Sequence, residues 1–216
     1  MIGDSWAYLH NVCGFDTIIE NKLSKLTRKP VKMISKGRCG ETTKEIYKLM
    51  FQYSADGTKS IIESYIDFCI ISAGINDART NMGIEQFKYH YSLLLNFLIN
   101  NNIRPIVLEF PDVDIWNGNN NKPINEIFVD YIRSFMTSSP MYNYKDYRKN
   151  LYNMLIDSPY TEKIIYINAC KWNGVNMSPN PSLFLSDHIH LNIKGYELLD
   201  SCIVNEIYKN MEDSLH

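Results

Sequence analysis

Short, mostly apolar runs alternate along the chain with longer stretches in which apolar side chains recur every three or four positions. The short runs cover residues 31–35, 68–72, 106–110 and 164–168, each the length of a buried strand. Between them, residues 15–26 set Ile18, Ile19, Leu23 and Leu26 on one helical face. Residues 84–99 do the same with Phe87, Tyr91, Leu94, Leu95 and Leu98. Further helices are predicted over 124–136, 144–156 and 193–211. Strands that are apolar on both faces belong in a parallel sheet covered by helices on both sides. The pattern therefore predicts one α/β domain of three layers spanning residues 1–216, with Met1 and Ile2 as the stump of the first strand. In such sheets reactive groups collect at the carboxyl ends of the strands.

Composition narrows the class without changing this picture. Hydrophobic residues at 45% and charged residues at 21% supply a core and exclude a disordered chain. A formal net charge of −2, with Lys and Arg scattered, gives no electrostatic ground for a nucleic-acid partner or an anionic membrane surface. No apolar stretch reaches the about 18 residues of a membrane span, and no basic-then-apolar leader opens the chain. The cysteines (Cys13, Cys39, Cys69, Cys170 and Cys202) form no CxxC pair and no Cys/His zinc spacing. Their odd number reads as reduced thiols of a cytoplasmic protein rather than a disulfide framework. Cys69, inside an apolar run, reads as a small buried hydrophobe.

Unusual residues gather in four segments at or just beyond predicted strand ends. Gly3-Asp4-Ser5 follows the first strand stump and precedes a helix, where a serine projects its hydroxyl above the sheet; the competing reading is a plain helix cap. In the segment 35–42, Gly40 permits a turn that offers a backbone N–H to a ligand, although an ordinary loop leading into a helix at Thr42 or Thr43 reads equally well. Gly74-Ile75-Asn76-Asp77 places an amide donor at a strand exit, which acyl transfer needs for a developing oxyanion; an Asx turn is its bland competitor. Asp187-His188-Ile189-His190 sets a carboxylate three residues before an imidazole, so that Asp187 can accept from one ring nitrogen while the other serves Ser5. A metal site of Asp187, His188 and His190 has no further ligand cluster to support it. His188 reads as a structural or rim residue, and His10 and His90 as surface or helix residues.

Taken in order, these four blocks resemble the SGNH (GDSL-type) hydrolases: a GDS serine, a GxSGxT-like turn, a GxND segment and a DxxH near the C-terminus. The resemblance runs from residue 3 to residue 190, and the ordered set is far more specific than any one block. It implies a flavodoxin-like parallel sheet of strand order 2-1-3-4-5. It also implies a Ser5–His190–Asp187 triad and an oxyanion hole of the Ser5 and Gly40 N–H groups with the Asn76 side chain. The chemistry implied is two-step acyl transfer from a carboxylic ester to water, with no metal or organic cofactor. An O-acetyltransferase using the same site, and a non-catalytic carbohydrate-binding or interaction domain, are the alternatives.

Two departures stand out: Trp6 follows the serine where Leu or Ile is common, and Cys39 stands where Ser is frequent. Trp6 and Trp116 are the candidates for lining a substrate pocket, the expected substrate being a small-molecule or glycan ester with a short acyl or acetyl group. Only Met1 and Ile2 precede Gly3, so the first strand is expected to be short. Either translation begins upstream of Met1, or the fold accepts a short central strand.

Overall fold

The computed structural model describes residues 1–53, 59–113, 122–138, 140–174 and 180–213. The described strands are β1 (Ile2–Gly3), β2 (Lys36–Gly37), β3 (Phe68–Ser72), β4 (Arg104–Leu108) and β5 (Ile165–Ile167). They form a parallel sheet in the order β2-β1-β3-β4-β5, which is the expected flavodoxin-like order. The helices are α1 (Ser5–Val12), α2 (Asp16–Thr27), α3 (Thr43–Leu49), α4 (Ile75–Arg79), α5 (Ile84–Asn100), α6 (Ile124–Thr137), α7 (Tyr144–Ile156), α8 (Cys170–Asn173) and α9 (Ile193–Asp213). On one face of the sheet α2 packs against α9. On the other α5 packs against both α3 and α7.

The burial follows the periodicity. On α5, Phe87, Tyr91, Leu94, Leu95 and Leu98 are buried as their spacing requires, and on α2 Ile19 and Leu23 are. Leu26 is the exception: it lies in the last turn of α2 and is exposed. α6 departs further. Its one buried side chain is Asp130, which accepts from the Tyr142 hydroxyl at 2.9 Å and pairs with Lys122. Ile124, Phe128, Tyr131 and Phe135 of the same helix face outward.

The apolar run 31–35 is not a strand; β2 begins at Lys36. The reason is its neighbour. β1 is two residues long and pairs Ile2 with Lys36 on one side and with Ile71 on the other. Residues 31–35 thus have no strand beside them, and the ladder ends with Met1, whose amino group donates to the Ile34 carbonyl at 2.6 Å. Beyond that point a cavity of about 590 Å³ opens between Val31–Ile34 and Phe68–Ile70, floored by Ile19, Leu23 and Ile207. It lies at the amino ends of the strands. No helix among the described residues is long and apolar enough to cross a membrane. The expected Gly/Asn-rich loop at 117–121 and Trp116 lie outside the described residues.

Candidate active site

At the carboxyl ends of the strands, the first site segment is a strand-to-helix turn held from several sides. Asp4 caps α1 by accepting from the Trp6 N–H at 3.0 Å, and it also accepts from the Ser72 hydroxyl at 3.3 Å. The turn is thereby tied to the end of β3. Burial pushes the Asp4 carboxyl up to about 6, against the lowering effect of these bonds and of nearby His190. The next helix can lie close because β2 ends in Gly37: a Cβ there would sit 2.3 Å from the backbone nitrogen of Tyr8. Ser5, the first residue of α1, is 7% exposed.

The Asp187–His190 segment reaches Ser5 from the far end of the chain. An antiparallel bridge between Phe184 and Leu191 closes the loop, and within it the Leu185 N–H donates to the His190 carbonyl at 2.7 Å. His188 turns the chain with a left-handed φ of 57°. Asp187 Oδ1 then accepts from the Ile189 and His190 N–H groups, each at 2.9 Å, and Oδ2 meets His190 Nδ1 at 2.5 Å. His190 Nε2 lies 2.9 Å from Ser5 Oγ. Partial burial raises the Asp187 pKa, but the bonds from the His190 ring and from the two N–H groups outweigh it, and the carboxyl lies below its usual range. An ionised carboxylate only accepts. Nδ1 therefore donates to it, and in the neutral tautomer that this fixes Nε2 can accept from the serine hydroxyl.

The remaining two segments meet each other. Gly40 adopts a φ of +81°, a left-handed conformation that a side chain disfavours. Asn76, on the first turn of α4, donates its side-chain amide to the Glu41 carbonyl at 3.1 Å. Its neighbour Asp77 is fully buried and accepts from the N–H of Thr43 at 3.0 Å and from its hydroxyl at 2.6 Å. Burial pushes Asp77 up to about 7. Sequence reasoning placed Asn76 in the site but gave Asp77 no role; here it pins the start of α3 to α4. Its only signal was adjacency to Asn76.

Trp6 does not line an open pocket. It is 2% exposed, packs edge-on against Trp172 at 5.8 Å and donates its indole N–H to the Ile189 carbonyl at 3.1 Å. The 590 Å³ cavity is no substitute, since it lies at the opposite end of the sheet from Ser5. His10 sits on α1 as one of its two readings had it, but it is fully buried rather than at the surface. Its Nδ1 meets Asp16 at 2.6 Å and its Nε2 meets Asp200 at 2.9 Å. Burial lowers the His10 pKa, and the two carboxylates more than reverse this, so that it ends above its ordinary value. Among the described residues, no group of three or more His, Cys, Asp or Glu side chains is placed to hold a metal ion.

Comparison with protein-family models and with curated proteins finds no match. Solved structures do match along nearly the whole chain. The psychrotrophic esterase EstA from a Pseudoalteromonas species aligns with a TM-score of 0.64 at 15% identity, covering 98% of this chain and 96% of its own. A GDSL-like lipase from Bacteroides thetaiotaomicron aligns with a TM-score of 0.56 at 15% identity, covering 96% and 86%. The acetylxylan esterase Axe2 from Geobacillus stearothermophilus aligns at 0.56 and 12% identity, covering 88% and 78%. The chain shares the fold of these enzymes.

Proposed function

We propose that this protein is a serine esterase of the SGNH type, hydrolysing a carboxylic ester through an acyl-enzyme on Ser5. The observation that carries this reading is the continuous contact from Asp187 through His190 to Ser5 Oγ. In acylation, His190 Nε2 takes the Ser5 proton as Oγ attacks the ester carbonyl. Asp187 holds the ring in the required tautomer and stabilises the imidazolium that forms. The same proton then passes to the departing alcohol. Water, deprotonated by His190, releases the acid and restores Ser5.

The negative charge on the tetrahedral oxygen is received by the Ser5 and Gly40 N–H groups and by the Asn76 amide. That amide has two hydrogens, one of which is held by Glu41, which fixes the plane of the other. Hydrolysis is favoured over transfer to another hydroxyl because the His190 side chain is 29% exposed and Asp187 39%, so water reaches the base. No cofactor is required by this chemistry.

A short acyl ester, with acetyl on a carbohydrate the preferred class, is supported by likeness to an acetylxylan esterase. The fold likeness extends to an esterase solved as inhibited by monoethylphosphonate, which suggests the test. A fluorophosphonate probe should modify Ser5 alone, as read by peptide mass spectrometry, and Ser5→Ala should abolish both labelling and turnover of p-nitrophenyl acetate. Labelling elsewhere, or undiminished turnover in Ser5→Ala, removes the reading. A p-nitrophenyl ester series of increasing chain length should show turnover falling beyond short acyl groups.

A further inference from the structure

The peptide unit joining Ile189 to His190 is held at both ends. Its N–H, on His190, donates to Asp187 Oδ1 at 2.9 Å. Its carbonyl, on Ile189, accepts from the indole nitrogen of Trp6 at 3.1 Å. Trp6 is covalently adjacent to Ser5, and Ile189 to His190. The indole therefore spans the same gap as the Ser5–His190 hydrogen bond, one residue along on each strand of chain. It does so from a rigid base. The Trp6 backbone N–H is engaged by Asp4, its carbonyl accepts from the Tyr196 hydroxyl at 3.1 Å, and its ring is backed edge-on by Trp172. Tyr196 belongs to α9, the helix that follows the histidine loop.

We infer that Trp6 is a positioning residue that sets the Ser5–His190 separation by clamping the Ile189–His190 peptide. The inference rests on the proposed roles of Ser5 and His190. The physical reason is specific to the loop. His190 sits on a turn that contains a left-handed His188 and is closed by the Phe184–Leu191 bridge. Within the loop the peptide is held at its N–H by Asp187, and among the described residues its carbonyl finds its partner only in Trp6. Two bonds to one peptide unit, at its donor and at its acceptor, fix its plane, and the imidazole follows the Cα of the residue it is built on. A buried indole suits the task. Its N–H has a fixed direction, it carries no charge, and its ring loses little freedom on packing. A leucine or isoleucine in the same place would leave part of the volume empty and offer no donor to the carbonyl. Because the bond is made in the resting enzyme and touches no substrate, its loss should slow the chemical step without weakening binding.

The test compares Trp6→Phe, which keeps an aromatic ring but removes the donor, with Trp172→Phe, which trims the same stack from its other side. Expected for Trp6→Phe is a fall in kcat of roughly tenfold or more with KM within about twofold, and a matching fall in the fluorophosphonate labelling rate at Ser5. Trp172→Phe should lower the melting temperature comparably and leave kcat near that of the wild type. A second readout does not depend on turnover: the low-field imidazole proton of His190, assigned by its absence in His190→Ala. It should exchange faster in Trp6→Phe and be retained in Trp172→Phe. If Trp6→Phe keeps both kcat and the slowly exchanging proton, or if the two tryptophan variants lose activity equally, Trp6 is packing and the inference is overturned. If the wild type itself is not labelled at Ser5, the esterase reading fails instead, and the imidazole proton still decides whether Trp6 holds the loop.

Discussion

Asn76 donates its side-chain amide to the carbonyl of Glu41 at 3.1 Å, joining the strand exit after β3 to the loop that carries Gly40. In the proposed mechanism the bond orients a donor that matters only when charge appears on the substrate oxygen. Asn76→Ala should therefore lower kcat by ~10²–10³ with little change in KM. Steady-state kinetics on p-nitrophenyl acetate check it. A change confined to KM would make Asn76 a substrate-binding group instead.

Asp187 and His188 are neighbours with separable roles. Asp187→Asn keeps the shape but removes the charge that, in the proposed triad, fixes the His190 tautomer, and a loss of about 10²-fold or more in kcat is expected. Part of the loop's order should survive, because an Asn oxygen can still accept from the Ile189 and His190 N–H groups. His188→Ala should cost less than about tenfold, its contribution being the left-handed turn rather than proton transfer. Both variants are to be measured beside a chelator-treated wild type, whose activity should be unchanged. A more damaging His188→Ala, or inhibition by the chelator, would reassign the segment as a metal site.

Burial raises Asp77 from its ordinary carboxylate range to about 7, which ties stability to pH with a definite sign. A raised carboxyl binds its proton more tightly in the folded state, so between its unfolded value and its folded value stability falls as pH rises. The Asp77 contribution should therefore be lost progressively from about pH 4 to about pH 7, with buried Asp4, raised to about 6, acting in the same direction. Asp77→Asn, which cannot ionise, should flatten the slope of melting temperature against pH over this range. An unchanged slope would show that Asp77 titrates alike in both states.

The void at the amino end of the sheet gives a prediction about stability alone. An engineered extension of alternating apolar residues fused before Met1 should lie between Val31–Ile34 and Phe68–Ile70 and complete the ladder that now stops at Met1. The melting temperature should rise, by about 2–4 °C for each kcal/mol gained in a chain of this size. A Gly-Ser extension of equal length should do nothing, and neither should alter the rate of Ser5 labelling. Equal melting temperatures for the two extensions would show that the slot does not accept a strand.

The fold was legible wherever local pattern and tertiary environment agree. α5 and α7 were readable from periodicity because one face of each is buried, and β3 because it lies inside the sheet with a neighbour on each side. The run 31–35 has the same composition as a strand yet is none, since strand character requires a partner that the two-residue β1 does not provide. For α6, spacing located the helix but could not say which way it faces. A buried Asp130 held by Tyr142 and Lys122 decides the orientation, and no periodicity announces that. In the site, Ser5, His190 and Asp187 were legible as residue types at spacings that chemistry demands, and the structure brings them together. Trp6 was read as a pocket wall because an indole beside a serine suggests a binding surface; its bond to Ile189 links positions far apart in the chain. His10 was passed over in part for the same reason, since one of its partners, Asp200, is distant in the chain. Its two carboxylates come from α2 and α9.

Those long separations carry a consequence for how activity arises as the chain folds. Ser5 and His190 are 185 positions apart, Trp6 and Ile189 183, and His10 and Asp200 190. Contacts between such distant segments form late, because the intervening loop must be closed before they reward it. The parallel strands and the central helices can assemble before His190 reaches Ser5. Nucleophilic competence should then appear only when α9 docks and draws the histidine loop over α1. In refolding, fluorophosphonate reactivity should lag behind the return of helical circular dichroism. A nascent chain that has not yet supplied its last helix would lack the core contacts of Leu199, Ile203 and Ile207 and be chemically silent.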